Sequence, residues 1–431
     1  MAETSMDTPA AAPVTGGGRS VVGAMAWRNL WRNRRRTWLT SAGIAFAVWM
    51  LVFAQSLQEG TFATMIDNGA RLALGHVQLQ HPGYLDDPRM EYSIDADPQL
   101  LEAIRSSSGV VNASARAQGF ALVSHGERSF GAQVQGVDAV VEARWSTLPG
   151  MVSAGRYLAG PGEALLGSVL ARNLGLAVGD EVVMLGTARE GGVAATVAEV
   201  VGLFTSGQAE LDRSLLQIDI SDFRTGWSLG PTEAHSVVVL ANSVAVSEEV
   251  AADLLRLRQV RGSESDWAVL GWRTLMPEAE QYIELKRVGT RLMFAVITII
   301  VTFSVVNTFM MTVFERTPEF GMLTAIGMRP GKIMLQLAAE SFWMAALGLA
   351  LGFGFSLLCI VPLMIYGMPL PGAADEILRE FNMPDRLYPT FSMNAAVTAA
   401  LIMLIGTQFA ALIPMLKIRR LRPVEALRAR A

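Results

Sequence analysis

Cysteine and histidine are scarce in this chain, and their scarcity excludes several kinds of protein. Cys359 is the only cysteine among 431 residues, so no disulfide can form within the chain and an exported domain would depend on its own core. His76 and His81 are five residues apart, a spacing that suits neither one helix face nor one strand face. His125 and His235 stand alone. Neither a metal site nor hydrolytic chemistry is predicted.

Charged residues are also few, at 17% against 51% hydrophobic residues, and this balance excludes an ordinary soluble enzyme. A membrane-spanning helix needs about 20 apolar residues, because the hydrocarbon core is roughly 30 Å thick. Four runs of this length contain no Asp, Glu, Lys or Arg, and the third of them begins at Ser341. The runs predict transmembrane helices at residues 38–58, 292–314, 334–366 and 391–416, with a short outer loop at 367–390.

Basic residues gather at the two ends of this set of spans. The arginines ahead of the first span are Arg28, Arg32, Arg34, Arg35 and Arg36, and the tail at 417–431 contains six basic residues and one acid. Short basic flanks stay in the cytoplasm, so both termini are predicted to be cytoplasmic, in agreement with an even number of spans. Residues 59–291, with 29 acidic and 18 basic residues, then lie outside the cytoplasm.

The chain ahead of the first span divides into two predicted parts. Residues 1–20 are small, polar and rich in Gly and Pro, which is typical of a disordered cytoplasmic tail. Residues 21–37 predict an amphipathic helix on the inner leaflet. Its apolar face carries Trp27, Leu30 and Trp31, and its basic face carries Arg28, Arg32 and Arg35. A cleaved signal peptide is an alternative interpretation, but the apolar run is longer than a typical signal sequence and lacks a clear cleavage site.

The segment at 59–291 mixes strand and helix patterns. Apolar residues recur at every second position in runs such as "VAATVAEVVGLF" and "HSVVVL", whereas "SEEVAADLLRLR" has helical spacing. "HGER", residues 125–128, predicts a hairpin turn. The predicted fold class is a polytopic α-helical membrane protein with four transmembrane helices and a large α+β periplasmic domain between the first and second. Helical stalks at both ends of this domain would either transmit movement or only anchor it.

Two polar residues and one pair of glycines stand out in the predicted spans. Asn307 lies within the second span and Gln55 near the end of the first. Such side chains predict either hydrogen bonds between helices or positions on a substrate path. Gly348 and Gly352 form a G-x-x-x-G sequence in the third span, which predicts close helix packing, with dimerisation as a second interpretation.

The loop at 315–333, "ERTPEFGMLTAIGMRPGKI", contains "GMRPGK", which is similar at first sight to a phosphate-binding loop. Only three residues separate Gly327 from Gly331, Pro330 removes an N–H group, and Ile333 replaces the required Ser or Thr. The loop instead predicts a short helix, with Thr317 as cap, Pro318 in the first turn, and Gly327 at the end. Phe320, Leu323 and Ile326 give this helix an apolar stripe, and its mixed charges favour a protein groove over lipid.

Three stretches together are similar to a known family: "AWRNLWRNRRRTWLTSAGI", "VVNTFMMTVFERTPEFGMLTAIGMRPGKI" and "IPMLKIRRLRPVEALRA". They resemble the permease signatures of the MacB/LolCDE/FtsX superfamily of ABC transporters, also called type VII or mechanotransmission transporters. The resemblance implies that the loop helix is a coupling helix seated on a separate ABC ATPase dimer. Its implied contact residues are Glu315, Arg316, Thr317, Glu319, Phe320 and Leu323.

The resemblance also implies a function. This chain would be a non-catalytic permease subunit of the bacterial inner membrane, paired with a second copy or a close paralogue, with ATP and Mg²⁺ bound only by the ATPase. Its layout is nearest to the lipoprotein-releasing LolC/LolE type, which implies that it extracts lipoproteins or another lipophilic substrate, helped by a periplasmic chaperone or adaptor. MacB-like efflux of a peptide, antibiotic or toxin and FtsX-like control of a cell-wall hydrolase are the alternatives. Membrane lipids are expected partners and nucleic acid is not.

Overall fold

The structure is a computed structural model that describes residues 25–261, 267–369 and 386–418. Its chain forms two compact units. The helical unit comprises the described parts of Met1–Glu59, Lys286–Gly367 and Tyr388–Ala431, and the sheet unit comprises those of Gly60–Leu285 and Met368–Leu387. The predicted tail at 1–20, most of the loop at 367–390 and most of the basic tail at 417–431 lie outside the described residues.

Helices and strands alternate along the sheet unit, whereas the helical unit contains the longest helices. The helices are α1 (Arg34–Gly69), α2 (Pro98–Arg105), α3 (Ala139–Glu142), α4 (Ser168–Leu174), α5 (Ala209–Ser214), α6 (Ile220–Gly226), α7 (Ser247–Arg261), α8 (Trp272–Leu275), α9 (Pro277–Glu315), α10 (Thr317–Ala325), α11 (Pro330–Tyr366) and α12 (Met393–Ile418). The strands are β1 (Val77–Gln80), β2 (Ile94–Asp95), β3 (Val110–His125), β4 (Arg128–Val137), β5 (Val152–Gly155), β6 (Glu163–Gly167), β7 (Glu181–Thr187), β8 (Val193–Phe204), β9 (Leu215–Asp219), β10 (Glu233–Ala234), β11 (Ser236–Ala241), β12 (Ala268–Gly271), β13 (Met368–Pro369) and β14 (Arg386–Leu387).

Within the described residues, four helical stretches are long and apolar enough to cross a membrane. They are Met25–Leu74, which contains α1, and the stretches formed by α9, α11 and α12. Both α1 and α9 are longer than a bilayer requires, since α1 ends at Gly69 and α9 begins at Pro277. No proline follows the first turn of either helix, so nothing in the sequence interrupts them. The stretches predicted as stalks are therefore continuous with the apolar runs.

The helical unit has a single apolar core to which all four long helices contribute. Ile44 and Leu51 of α1 pack with Phe309 of α9, and Leu337 of α11 and Met403 of α12 complete the same cluster. The helical residues ahead of α1 also join this unit, because Leu30 is buried in the core and Trp27 lies edge-on to Trp343 of α11 at 5.3 Å between ring centroids. The segment at 21–37, where described, packs on protein as well as presenting basic residues.

Gly348 and Gly352 lie where α11 meets α1. A Cβ atom at Gly348 would be 2.8 Å from Cβ of Ile44, and one at Gly352 would be 2.7 Å from the carbonyl oxygen of Ala45. Only glycine fits at such distances, which bring two helix backbones together. The predicted close packing is therefore found, but between helices of one chain, so the G-x-x-x-G face is not available for dimerisation.

The sheet unit is built around ten hydrogen-bonded strands. Their order is β12-β1-β11-β3-β4-β9-β6-β8-β5, and β7 pairs with both β3 and β8. The long strand β3 pairs through its first half with β11 and through its second half with β7. As a result β3, β4, β9, β6, β8 and β7 close into a ring, while β11, β1 and β12 extend from it as an open sheet. The predicted hairpin is confirmed, since His125 pairs with Arg128.

Two apolar cores stabilise these two parts. In the open sheet, Val77 and Val239 face Leu100 of α2 and Leu254 of α7. In the ring, Val134, Leu166 and Met184 point inwards and pack with Trp227. Helices against one face of a largely antiparallel sheet make an α+β domain, which confirms the predicted class of this segment.

Candidate functional site

The loop between α9 and α11 contains the predicted coupling helix, which is α10. Only Arg316 separates α9 from α10, and Pro318 lies in the first turn as predicted. The prediction of Thr317 as the cap is wrong. Its hydroxyl donates to the carbonyl oxygen of Val313 at 2.7 Å, and Arg316 occupies the cap position without a side-chain hydrogen bond. Thr317 thereby ties the start of α10 to the last turn of α9.

Glycine ends α10 where the sequence indicated. Gly327 has φ +99°, a conformation that other residues rarely adopt. The N–H of Met328 then donates to the carbonyl oxygen of Leu323 at 3.0 Å, as in a common C-terminal helix motif. Pro330 is the first residue of α11. "GMRPGK" is therefore the junction between two helices.

The apolar stripe of α10 is divided between the core and the surface. Phe320 is only 3% exposed and belongs to the core of the helical unit, and Leu323 packs partly against the same core. Phe320 is therefore corrected from a contact residue to a core residue, because its ring is covered by the chain itself. Met322 and Ile326, which is 78% exposed, present the apolar surface of the loop instead.

A depression lies beside these exposed residues. Its volume is about 520 Å³, and its lining residues are Leu323, Ile326, Gly327, Met328, Arg329 and Lys332. Of these residues, only Leu323 is among the contact residues predicted from the sequence. The pair of cations within "GMRPGK", which follow the apolar stripe directly, is the sequence signal for the others.

Arg316 is the centre of an ion-pair network beneath the loop. Its Nη1 contacts both carboxylate oxygens of Glu340 at 3.1 Å, and its Nε donates to Oε2 of Glu319 at 3.0 Å. The amide of Asn29 also donates to Glu340 at 2.8 Å. Glu340 is 6% exposed, so a nearly buried carboxylate of α11 holds the loop in place. Glu340 was not predicted, since no local pattern pairs residues 24 positions apart.

Two further ion pairs join the loop to the basic segment at the start of α1. Arg36 Nη1 lies 3.0 Å from Glu315 Oε2, and Arg32 Nη2 lies 2.5 Å from Glu319 Oε1. Partial burial raises the pKa of Glu319, but hydrogen bonds from Arg32 and Arg316 outweigh burial and leave that pKa below its usual value. The Glu319 carboxylate thus remains charged and binds arginines from two directions.

A second candidate site is formed by α1, α9 and α12, at a distance from the α10 loop along these helices. A cleft of about 830 Å³ opens there, with Phe294, Ala295, Ile299 and Ile402 among its apolar lining. Polar residues line another part of it, where Gln55 Nε2 donates to Glu59 Oε1 at 3.0 Å. Gln55 is therefore in the cleft. Asn307 is exposed on α9 and is not among the lining residues.

One match to a hydrolase pattern was not among the predicted sites. Gly226–Gly230 reads "GWSLG", which has the spacing G-x-S-x-G. Among the residues that the structure describes, Ser228 is the non-glycine residue with a positive φ, at 58°. The hydrolase pattern requires a strand followed by a helix. Here Ser228 follows the end of α6, where the N–H of Leu229 donates to the carbonyl oxygen of Arg224 at 2.9 Å. Ser228 therefore ends a helix and does not lie on the strand-to-helix turn that holds a hydrolase nucleophile.

Four long apolar helices, a braced loop helix and an α+β domain define a polytopic membrane protein of the permease type. Residues 37–257 match the family model of the MacB-like periplasmic core domain, and residues 291–423 match that of the FtsX-like permease C-terminal region. The chain belongs to the MacB/LolCDE/FtsX superfamily of ABC transporter permeases.

Relatives fall into two groups. The lipoprotein-releasing system transmembrane protein LolC of Neisseria meningitidis serogroup B is 25% identical over 323 residues, which cover 69% of this chain and 70% of LolC. The macrolide export ATP-binding/permease protein MacB of Escherichia coli K12 is 24% identical over 359 residues, or 81% of this chain but only 53% of MacB. The solved periplasmic region of MacB from Actinobacillus actinomycetemcomitans is 15% identical, with a TM-score of 0.35, and the match covers 48% of this chain and 94% of that one.

Proposed function

We propose that this chain couples ATP hydrolysis in a separate ATPase subunit to movement of an exported domain, and that it extracts or releases a lipophilic substrate, with a lipoprotein as the proposed substrate, at the bacterial inner membrane. In this proposal α1, α9, α11 and α12 each cross the membrane once. Both termini and the α10 loop are cytoplasmic, and the sheet unit is periplasmic, in accordance with the basic flanks. The chain itself performs no catalysis.

The surface of the α10 loop carries the coupling part of the proposal. An exposed apolar pair, Met322 and Ile326, lies beside a depression edged by Arg329 and Lys332. A short helix with this surface fits a groove of a partner with an apolar floor and acidic edges. Because Arg316 fixes the loop to Glu340, force applied to α10 would pass into α11 and would not be lost in a flexible turn.

Ile326→Asp is expected to weaken binding of the ATPase by roughly 10- to 100-fold, because it removes an exposed isoleucine that the partner would bury and adds a charge to the contact. The measurement is co-purification and ATP hydrolysis after co-expression with the separate ATPase subunit. A complex of two chains and two ATPase subunits is expected for the parent protein. Val260→Asp, at a residue 84% exposed on α7, is the matched control and should bind normally. Equal co-purification of both variants would contradict the docking surface.

The cleft between α1, α9 and α12 carries the substrate part of the proposal. Its volume of about 830 Å³ lies within the range of sites that enclose drug-sized ligands. Apolar residues such as Phe294 and Ile299 would contact acyl chains, and Gln55 with Glu59 would contact the polar end of the molecule. A partly apolar cleft of this size favours substrate handling over the FtsX-like alternative, since a regulator of a cell-wall hydrolase needs no such cleft.

Ala295→Trp should narrow the cleft and weaken binding of a fluorescent triacylated lipopeptide at least about 10-fold, as expected when an indole occupies part of the ligand's volume. Binding would be measured with the full chain in lipid nanodiscs. Ala350→Trp adds the same side chain at an exposed position of α11 outside the cleft and should bind like the parent protein. Unchanged binding in the Ala295 variant would overturn the assignment. Binding of a macrolide in place of the lipopeptide would favour efflux.

A further inference from the structure

One face of the sheet unit is unusually rich in glutamine. Six of these side chains lie on neighbouring strands, on the face opposite α2 and α7: Gln78, Gln80, Gln118, Gln133, Gln135 and Gln217. Alternation explains their common direction, because Val77 and Leu79 of β1 point towards the helices and their neighbours point away. Apolar side chains would normally cover a buried sheet face. The glutamines therefore indicate that this face contacts something polar.

A cavity of about 320 Å³ lies over this face. Its floor includes Gln78, Gln80, Gln118, Gln133 and Gln135, and its walls include Tyr84, Leu85, Pro88 and Phe120. Gln80 is only 2% exposed, and its Nε2 has no hydrogen-bond partner among the described residues. A buried amide nitrogen without a partner is costly, so Gln80 is a donor held ready for a molecule in the cavity.

The cavity presents no net charge to that molecule. Arg116 lines it, but its guanidinium is paired with the buried carboxylate of Glu142 and also donates to the carbonyl oxygen of Ala73. Burial raises the pKa of Tyr84 to about 12, more than its hydrogen bond with Gln118 lowers it, so the phenol remains neutral. The remaining polar side chains of the lining are carboxamides and the hydroxyl of Ser236, which both donate and accept. An ionic ligand would find no counter-charge here.

A neutral ligand with many hydroxyl groups fits better than a peptide. An extended peptide is usually bound along a free strand edge, where backbone groups are available. This floor is a sheet face, on which only side chains are presented. A sugar ring needs hydroxyl partners on its rim and an apolar surface along its face, and the glutamine floor and the wall of Leu85 and Phe120 provide both.

We propose that the glutamine-lined cavity of the sheet unit is a binding site for a small neutral carbohydrate, of one or two sugar rings, with Gln80 as an essential donor. This site is independent of the α10 loop and of the cleft between the long helices. It would make the exported domain sensitive to sugars, whatever substrate the transporter handles.

The substitution Gln80→Leu distinguishes a ligand-binding role of Gln80 from a purely structural role. Without ligand the variant should have a melting temperature at least about 2 °C higher than the parent chain, because an unpaired buried amide is replaced by an apolar group of similar size. It should also lose the response to sugar. The probes are glucose, N-acetylglucosamine and maltose at low millimolar concentration, with glucuronate as the charged comparison, added to the full chain in nanodiscs.

The parent chain should gain roughly 2–4 °C or more with at least one neutral sugar and nothing with glucuronate. Gln217→Leu is the matched control. Gln217 is fully buried on the same face, is bonded to Gln135 at 2.7 Å and does not line the cavity. This variant should be less stable yet keep the sugar response. The proposal is overturned if no neutral sugar stabilises the parent chain, or if Gln80→Leu responds equally.

Discussion

Arg316→Met is expected to lower the free energy of unfolding of the helical unit by about 3 kcal/mol, because it leaves the carboxylate of Glu340 nearly buried without its cation. For a unit of this size the melting temperature should fall by roughly 6–12 °C. Thermal unfolding of the purified full chain in nanodiscs provides the measurement. ATP hydrolysis by the bound partner should also lose its dependence on the permease, since the loop is no longer fixed to α11.

Two further variants separate charge from packing. Arg316→Met combined with Glu340→Leu removes both charges and should recover most of the lost stability. Arg32→Gln removes an arginine whose side chain is 59% exposed, and an exposed pair of this kind contributes less than about 1 kcal/mol. The network would be mis-assigned if the double variant were no more stable than Arg316→Met, or if Arg32→Gln were equally destabilising.

Glu142→Gln should destabilise the sheet unit strongly, by about 3–5 kcal/mol. Arg116 and Glu142 are 1% and 0% exposed, and the guanidinium also stacks on Trp145 at 5.1 Å from the ring centroid. The substituted amide can still accept a hydrogen bond, but the buried cation then has only uncharged partners, namely that amide, a carbonyl oxygen and an aromatic ring. Pulse proteolysis of the full chain across a urea series would follow the fraction of folded sheet unit.

The Arg156–Glu163 pair provides the matched comparison. The Arg156 side chain is 55% exposed, so Glu163→Gln should change stability by less than about 1 kcal/mol. Replacement of the buried pair by Arg116→Met and Glu142→Leu should be close to neutral, because two desolvated charges are removed together. A large loss of stability in Glu163→Gln, or a small loss in Glu142→Gln, would contradict the effects expected from the different burial of the two pairs.

Local signals in the sequence predicted local features of the structure. The charge-free runs became the long helices, "HGER" became a hairpin, and Gly327 ended α10, because each depends on residues within one or two turns. Periodicity also predicted an apolar stripe on α10. It could not predict that Phe320 would be covered while Ile326 stayed exposed, since this depends on which other helices pack against α10.

Long-range features were beyond the reach of these signals. Glu340 meets Arg316 and Asn29 only after three helices have packed. The six glutamines of the cavity face are spread from residue 78 to residue 217. They share a face only after the register of β1, β3, β4 and β9 is set. Neither arrangement has a characteristic spacing along the chain, because strand order and helix packing, not sequence distance, bring the residues together.

The close contact of Gly348 and Gly352 with α1 has a mechanical consequence. Backbones this near, with Ser41 also donating to the carbonyl oxygen of Met344 at 3.2 Å, cannot slide past each other without collisions. The loop is bound to both members of this pair, through Glu340 to α11 and through Arg36 to the start of α1. A push on α10 would therefore turn α1 and α11 together as one stiff rod, and the part of α1 that lines the cleft, with Gln55 and Glu59, would move with it.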